Sequence, residues 1–447
     1  MSQKLNKQAP VELEKTLGLV PALAIVIGIT IGSGVFFKPT AVFTATGAPG
    51  LGLLAWFIGG IITICGGLTV AEVASAIPKT GGMMTYIEET YGELAAFLLG
   101  WAQTIIYFPA TVAALSIILA TQAVSLLGLT DASITPIAIA TVAFLIVMNF
   151  FGSKTGGAIQ TIATIGKMVP LVAIIVVGLM NDNASAARLM PFTSPDHPVV
   201  TGLGSALIGI MFAYDGWMNV GAIAGEMKNP GKDLPKAIVG GLSLVMGIYI
   251  IINIAYLFIL PASELAATAT PAADVASIIF GANGGKIITV GILVSIFGAI
   301  NGYIMTGTRI PYAMALENKI PFSNFFGKLH SKFQTPVNAG IFMFIMAVLM
   351  TFSGKFDQLT DLVMFVIWIF YTMTFGSVFI LRKKQPDLVR PYKVPLYPIV
   401  PMIGIIGGSF VVINTLFTQP ANAGIGLGLT VIGLPIYFAR RSKFTKH

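Results

Sequence analysis

The chain repeats one pattern from end to end: an apolar run of about twenty residues, a short polar interruption, then another run. A helix of that length rises about 30 Å, the thickness of a bilayer's hydrocarbon core. Backbone groups in that core have no water to bond, so such runs must fold as helices. Twelve runs can be counted. They are Leu17–Thr46, Leu51–Ile77, Leu94–Leu127, Ile134–Phe151, Thr155–Leu179, Leu207–Met227, a seventh from Pro235 to Leu260, Ile287–Ala315, Val337–Phe352, Leu359–Leu381, Ile399–Phe417 and Gly424–Ala439. Between them, Tyr86–Tyr91 reads as an amphipathic piece along the interface after the Pro78–Gly82 loop, and Asn181–Pro198 as a polar loop. Glu226–Pro235 reads as a compact charged turn, and the Ala/Thr/Pro segment to Asn283 as an outer loop with a short helix at Ala272–Phe280. The expected fold is an all-α membrane protein of twelve transmembrane helices.

Charge then orients it. Hydrophobic residues make up 55% and charged residues 10% of the chain, with a mean hydropathy of +0.87. A soluble chain of 447 residues would carry far more charge. The net charge of +8 does not point to nucleic acid, because the basic residues sit in short clusters between apolar runs. With an even number of spans both tails share a side. Assigning them to the cytoplasm, with clusters such as Lys228/Lys232/Lys236, Lys328/Lys332, Arg382–Lys384 and Lys154, leaves only Lys38, Arg188, Lys286 and Lys355 outside. Both termini are therefore expected in the cytoplasm, the tail 1–16 lacking a signal-peptide pattern.

The single cysteine, Cys65, lies in an apolar run, so no intramolecular disulfide is possible and it reads as a helix-packing residue. His197, His330 and His447 lack metal-ligand spacing, and no metal or cofactor is expected. Asn183-Ala184-Ser185 fits a glycosylation acceptor, a short and common pattern.

The sixth run, LIGIMFAYDGWMNVGAIAGEM, narrows the function. It places Asp215 and Gly216 at bilayer depth, where a charge costs roughly 2.5 to 3.5 kcal/mol and is tolerated only against a cavity or a partner. The first run is likewise interrupted, by Gly32-Ser33-Gly34. A lone Gly28-x-x-x-Gly32 would serve equally for close helix packing. Two broken helices at matching positions of two five-helix blocks indicate instead a 5+5 inverted repeat around a solute site, with the blocks at 17–180 and 199–381 and two extra helices at 395–439 before a tail at 440–447. At the first break, Thr30, Ile31, Gly32, Ser33 and Gly34 present amide hydrogens at a helix N-terminus, suited to a carboxylate. At the second, the carbonyls of Phe212, Ala213 and Tyr214, with Asp215 beside them, suit an ammonium. A carboxylate and an ammonium on one carbon describe an amino acid.

The motifs IGSGVF (31–36), the Pro78–Gly82 loop with Tyr86, Lys167, FAYDGW (212–217) followed by EMKNPGKDLP (226–235), and FGAINGYIMTGTR (297–309) fall in order across nearly the whole chain. In them the chain resembles the amino acid, polyamine and organocation transporter superfamily, and within it the L-type amino acid transporter family with its bacterial exchangers of small neutral amino acids. The resemblance implies an inverted-repeat fold, sodium-independent exchange by alternating access and no enzymatic activity. It also implies that Phe212 is a gate over substrate, and that the ammonium of Lys167 stands where sodium-coupled relatives hold a cation. Lys167 falls about 18 Å into the fifth run, too deep to reach water easily. It is expected to bond carbonyls near Gly28 and a hydroxyl such as that of Ser295, a purely structural lysine being the alternative. Relatives with a disulfide-linked glycoprotein partner carry a cysteine in an outer loop that here, from Gly128 to Ser133, has none. The expected partners are thus an amino acid and the lipid bilayer, with no covalent heavy chain and a monomer as the unit.

Tyr214 and Trp217 fit a pocket floor or plain core packing. Asn301 fits a bond to substrate or Asp215, or ordinary helix-to-helix glue. A proton-coupled symporter of the same fold remains a competing reading, and an amino-acid-gated channel or sensor a more distant one. No HExxH or GxSxG motif marks a membrane hydrolase.

Overall fold

The computed structural model describes residues 18–77, 82–182, 184–220, 227–353 and 355–444. Expectations for the tail 1–16, for Pro78–Gly81, Asn183 and Glu226, for the side chain of Lys154 and for the charges from Arg441 onward fall outside the described residues. Every regular element among those residues is helical.

The first run divides into α1 (Leu19–Thr30) and α2 (Gly34–Thr46). At 1.5 Å per residue these rise about 18 and 20 Å, so neither crosses a bilayer alone. α3 (Pro49–Ala76) follows, then the amphipathic α4 (Met83–Tyr91). The third run is α5 (Glu93–Ala102), a π-turn at Gln103–Tyr107 and α6 (Phe108–Leu127). Next come α7 (Ile134–Phe150), α8 (Ser153–Met180) and α9 (Val199–Ala213), which stops at the second break. α10 (Pro230–Ile259) and the short α11 (Ala262–Ala267) lead to α12 (Pro271–Gly307). The remainder comprises α13 (Arg309–Leu316), α14 (Ser323–Phe326), α15 (Val337–Ser353), α16 (Phe356–Lys384), α17 (Ile399–Thr418), α18 (Pro420–Val431) and α19 (Gly433–Phe444).

Ten helices among the described residues are long and apolar enough to cross a membrane, and Val337–Phe352 is a shorter apolar one. Several boundaries differ from the sequence reading. The sixth run starts at Val199 rather than Leu207, its apolar character extending back to the polar loop. The last run begins at Pro420, whose fixed φ suits a first helical turn, rather than at Gly424. The short helix expected at Ala272–Phe280 is the opening of α12, which bends at Gly281 (φ 71°).

The outer surface suits lipid. On α8, Ile162, Ile165, Val169, Val172 and Val176 are all at least half or nearly half exposed and fall at three- and four-residue spacing, so one helical face is an uninterrupted apolar stripe. Inside, α12 packs on α8, α10 on α3 and α1, and α2 lies alongside α9. That last contact matters most, because α2 starts at one break and α9 ends at the other.

A charged clamp closes one end. Glu72, 1% exposed at the end of α3, accepts two bonds from Arg382 of α16 (2.8 and 2.7 Å) and one from the Val394 amide (2.7 Å), with Arg390 at 3.6 Å. Breaking a buried pair strands the other charge, which costs about 3 kcal/mol. Glu72→Gln is expected to lower the thermal midpoint of detergent-solubilised protein by several degrees, whereas Lys383→Gln, an exposed neighbour, leaves it unchanged; a thermal-shift assay checks both.

Candidate functional site

The two breaks meet in the interior. α1 ends at Thr30, Ile31–Ser33 leave helical geometry, and α2 restarts at Gly34. α9 ends at Ala213, and the chain turns through Tyr214–Gly216. A Cβ on Gly34 would stand 2.5 Å from the Ala213 Cα, so only glycine lets the backbones approach this closely. Gly216 has a φ of +99°, and a side chain there would strike Ile29 of α1 at 2.5 Å. Gly34 thus brings main chain to main chain, and Gly216 lets the turn pass tightly against the Ile29 side chain.

Between the breaks lies a cavity of about 10 Å³, room for roughly one water, lined by Ile29, Thr30, Gly32, Ser33, Gly34, Leu115, Phe212, Asp215, Ala299 and Tyr303. The conformation is closed and must widen to admit an amino acid. Two hydroxyls in this lining, Thr30 Oγ1 and Ser33 Oγ, are buried without a hydrogen-bond partner. Leaving such groups bare is unfavourable by about 1–3 kcal/mol each, which disposes them toward a ligand.

Tyrosines bind the breaks together. The Tyr249 hydroxyl, from α10, lies 2.9 Å from the Thr30 carbonyl and 2.8 Å from the Ala213 carbonyl, bridging the ends of α1 and α9. Asp215 accepts hydroxyl bonds from three more: Tyr107 (2.5 Å to Oδ2), Tyr303 (3.1 Å to Oδ2) and Tyr371 (2.7 Å to Oδ1). These come from the π-turn before α6, from α12 and from α16. Tyr214 packs on Trp56 and Tyr249, and Trp217 packs on Tyr371 at 6.1 Å, so both sit in the aromatic wall behind the turn. Sequence reasoning missed the four tyrosines, although Tyr303 lies within the FGAINGYIMTGTR motif.

Lys167 is buried on α8, and its ammonium donates to the carbonyls of Gly28 and, at 2.8 Å, Ile31. Both belong to the first break, where helix termination leaves carbonyls without amide partners. Two expectations need correction. Ser295 Oγ is buried without a hydrogen bond, so it is not a partner of Lys167; the lysine turns to the stronger acceptors of the break. Asn301 faces away from Asp215, donating to the Gly156 carbonyl (2.9 Å) and accepting from Asn149 (2.9 Å). Two residues along a helix rotate a side chain by about 200°, so Tyr303 rather than Asn301 reaches the carboxylate.

Phe212 closes the cavity at one end. Its ring meets Phe356 edge-on at 5.8 Å, and Phe356 meets Phe37 at 6.3 Å. Beyond this layer opens a cavity of about 640 Å³ lined by Phe37, Thr40, Ile117, Lys355, Phe356 and Asp357 among others. Lys38, assigned from sequence only to the outer side, is fully buried in the layer. Because α2 begins at Gly34, Lys38 lies within the helix, bonded to Asp357 and Thr360 of α16 (2.7 Å each) and set over the rings of Phe212 and Phe356.

Comparison with known proteins gives the family. Residues 17–438 match the amino acid permease family. The chain is 43% identical to the serine/threonine exchanger SteT of Bacillus subtilis (strain 168), over 96% of this chain and 98% of that one. It is 31% identical to the large neutral amino acids transporter small subunit 2 of Mus musculus (96% and 81% covered) and 29% identical to the human cystine/glutamate transporter (97% and 87%). With its apolar spans and its paired helix breaks, the chain is a multi-pass membrane transporter of amino acids, not an enzyme, and it belongs to the amino acid permease family.

Proposed function

We propose that this protein exchanges small neutral L-amino acids such as alanine, serine, threonine and cysteine across the cell membrane, without sodium, by alternating access. The observation that carries the reading is the meeting of the two helix breaks with the unpartnered hydroxyls of Thr30 and Ser33 between them. The substrate carboxylate is held by the main chain of Thr30, Ile31, Gly32, Ser33 and Gly34, at the N-terminus of α2. The ammonium is held by the carbonyls of Phe212 and Ala213; the Ala213 oxygen keeps a second lone pair beside the Tyr249 bond. The negative charge of Asp215 lies nearby, Phe212 is the gate, and Tyr214 and Trp217 form the wall. The similarity to a serine/threonine exchanger and to two amino acid transporters supports an amino acid exchanger.

The proposed topology has twelve spans, with α1–α2 counted as one broken span, arranged as two inverted blocks at 17–180 and 199–381 plus two further spans, and with both termini in the cytoplasm. All the groups named come from one chain, so the proposed unit of transport is the monomer. The outer loop Gly128–Ser133 offers no cysteine for a disulfide-linked partner. Lys167 takes the place of a coupling cation: its ammonium ties the Gly28 and Ile31 carbonyls to α8, so the first break moves with that helix.

Counterflow in proteoliposomes tests the function. Vesicles preloaded with unlabelled serine are expected to take up labelled serine in sodium-free buffer without a pH gradient, and empty vesicles are expected not to. Accumulation in empty vesicles driven by a proton gradient would replace exchange with symport. Lys167→Ala is expected to slow exchange at saturating substrate by about tenfold or more, through the loss of its charge-assisted bonds to the Gly28 and Ile31 carbonyls, as read by initial rates of counterflow.

A further inference from the structure

Resting on the amino acid reading of this site, we infer that Asp215 reads the substrate's side chain. Its Oδ2 accepts a hydrogen bond from a side-chain hydroxyl, competing there with Tyr303, so the site prefers hydroxylated small amino acids to their alkyl counterparts.

The argument begins with how the carboxylate is held. Tyr107 and Tyr371 bond it at 2.5 and 2.7 Å, lengths normal for a hydroxyl donating to a carboxylate. Neither of them lines the cavity between the breaks, so they hold Asp215 from behind. The Tyr303 bond is the outlier at 3.1 Å, long for a charge-assisted pair. Tyr303 is also the phenol that lines the cavity, together with Asp215 itself. The carboxylate therefore has two firm donors on its protein side and one loose donor on its substrate side.

The chemistry of the acceptor then sets the selectivity. An ionised carboxylate only accepts, so it favours a side chain that carries a hydrogen-bond donor and disfavours an acidic one. Its hydrogen-bond donors are the three tyrosine hydroxyls and the Gly216 amide, none of them a cation that would blunt that preference. With the substrate carboxylate at the first break and its ammonium at the Phe212 and Ala213 carbonyls, the side chain is left the part of the lining formed by Asp215 and Tyr303. A serine or threonine hydroxyl reaching Oδ2 displaces the long Tyr303 bond and leaves the two short ones in place. Alanine and valine, of nearly the same shape, offer nothing in exchange. A hydrogen bond to a charged acceptor discriminates by about tenfold or more.

Competition of labelled-serine counterflow by unlabelled amino acids, using the full chain in proteoliposomes, tests this. The pairs compared are serine with alanine and threonine with valine, each differing by one hydroxyl, and the readout is the ratio of half-inhibitory concentrations. Wild type is expected to favour the hydroxylated member of each pair by about tenfold or more. Tyr303→Phe, which removes only the competing hydroxyl, is expected to raise that ratio, and Asp215→Asn to bring it toward unity whatever happens to the maximal rate. Should Asp215→Asn fail to assemble, the direction of the Tyr303→Phe shift still decides. Flat ratios in wild type, a ratio unmoved or lowered by Tyr303→Phe, or an equal loss of affinity for both members of a pair in Asp215→Asn would overturn the inference, the last assigning Asp215 to the ammonium or to structure. Absence of counterflow with every amino acid in wild type would instead remove the function on which the inference rests.

Discussion

In a bilayer every backbone amide and carbonyl must find a partner within the protein, and the structure depends on how that demand is met where two helices stop short. Interrupting α1 and α9 in the interior frees carbonyls on one side of each gap and amides on the other. The chain answers with side chains brought from distant elements. Lys167 takes the Gly28 and Ile31 carbonyls, and Tyr249 spans Thr30 and Ala213. The unpartnered hydroxyls of Thr30 and Ser33 are left facing a small polar chamber, which on the proposed reading suits a molecule carrying opposite charges on one carbon.

The same demand explains the phenols around Asp215. A carboxylate at this depth is stable only when its lone pairs are filled, and tyrosine provides a hydroxyl on a rigid apolar stem that tolerates its surroundings. The π-turn at Gln103–Tyr107 inserts one extra residue into the third run and shifts the phase of the helix around Tyr107. Three elements consequently converge on one side chain. The closing layer of Phe37, Phe212 and Phe356 follows similar logic, with a lysine rather than a carboxylate as the buried charge and aromatic faces for part of its solvation.

Much of this was readable from the residues. Apolar runs separated by basic clusters specify a helical membrane protein, and glycines at 34 and 216 mark the places where helix gives way, the first because a Cβ would strike Ala213 and the second because its backbone is left-handed. Lys167 betrayed itself by depth alone. The partners of Asp215 were illegible for a physical reason. They lie on three helices whose rotation about their own axes is set by packing, and one π-turn is enough to defeat a count of residues per turn. Rotation likewise decided against Asn301 and for Tyr303. The burial of Lys38 was illegible because a lysine assigned to the outer side looks the same, solvated or buried, until the opposing helix with Asp357 and Thr360 is in place.

The Tyr249 bridge carries a consequence of its own. A phenol owns a single proton, yet this one faces two oxygens from different halves of the molecule. Drawing those halves apart obliges it to abandon one of them, and in a dry interior the abandoned oxygen seeks a new donor. An amino acid seated in the chamber brings three N–H bonds to the spot, whereas an unoccupied chamber brings none. On the proposed reading of the chamber, separation is easier with cargo than without it, the asymmetry that distinguishes a carrier which swaps one molecule for another from one that returns empty-handed.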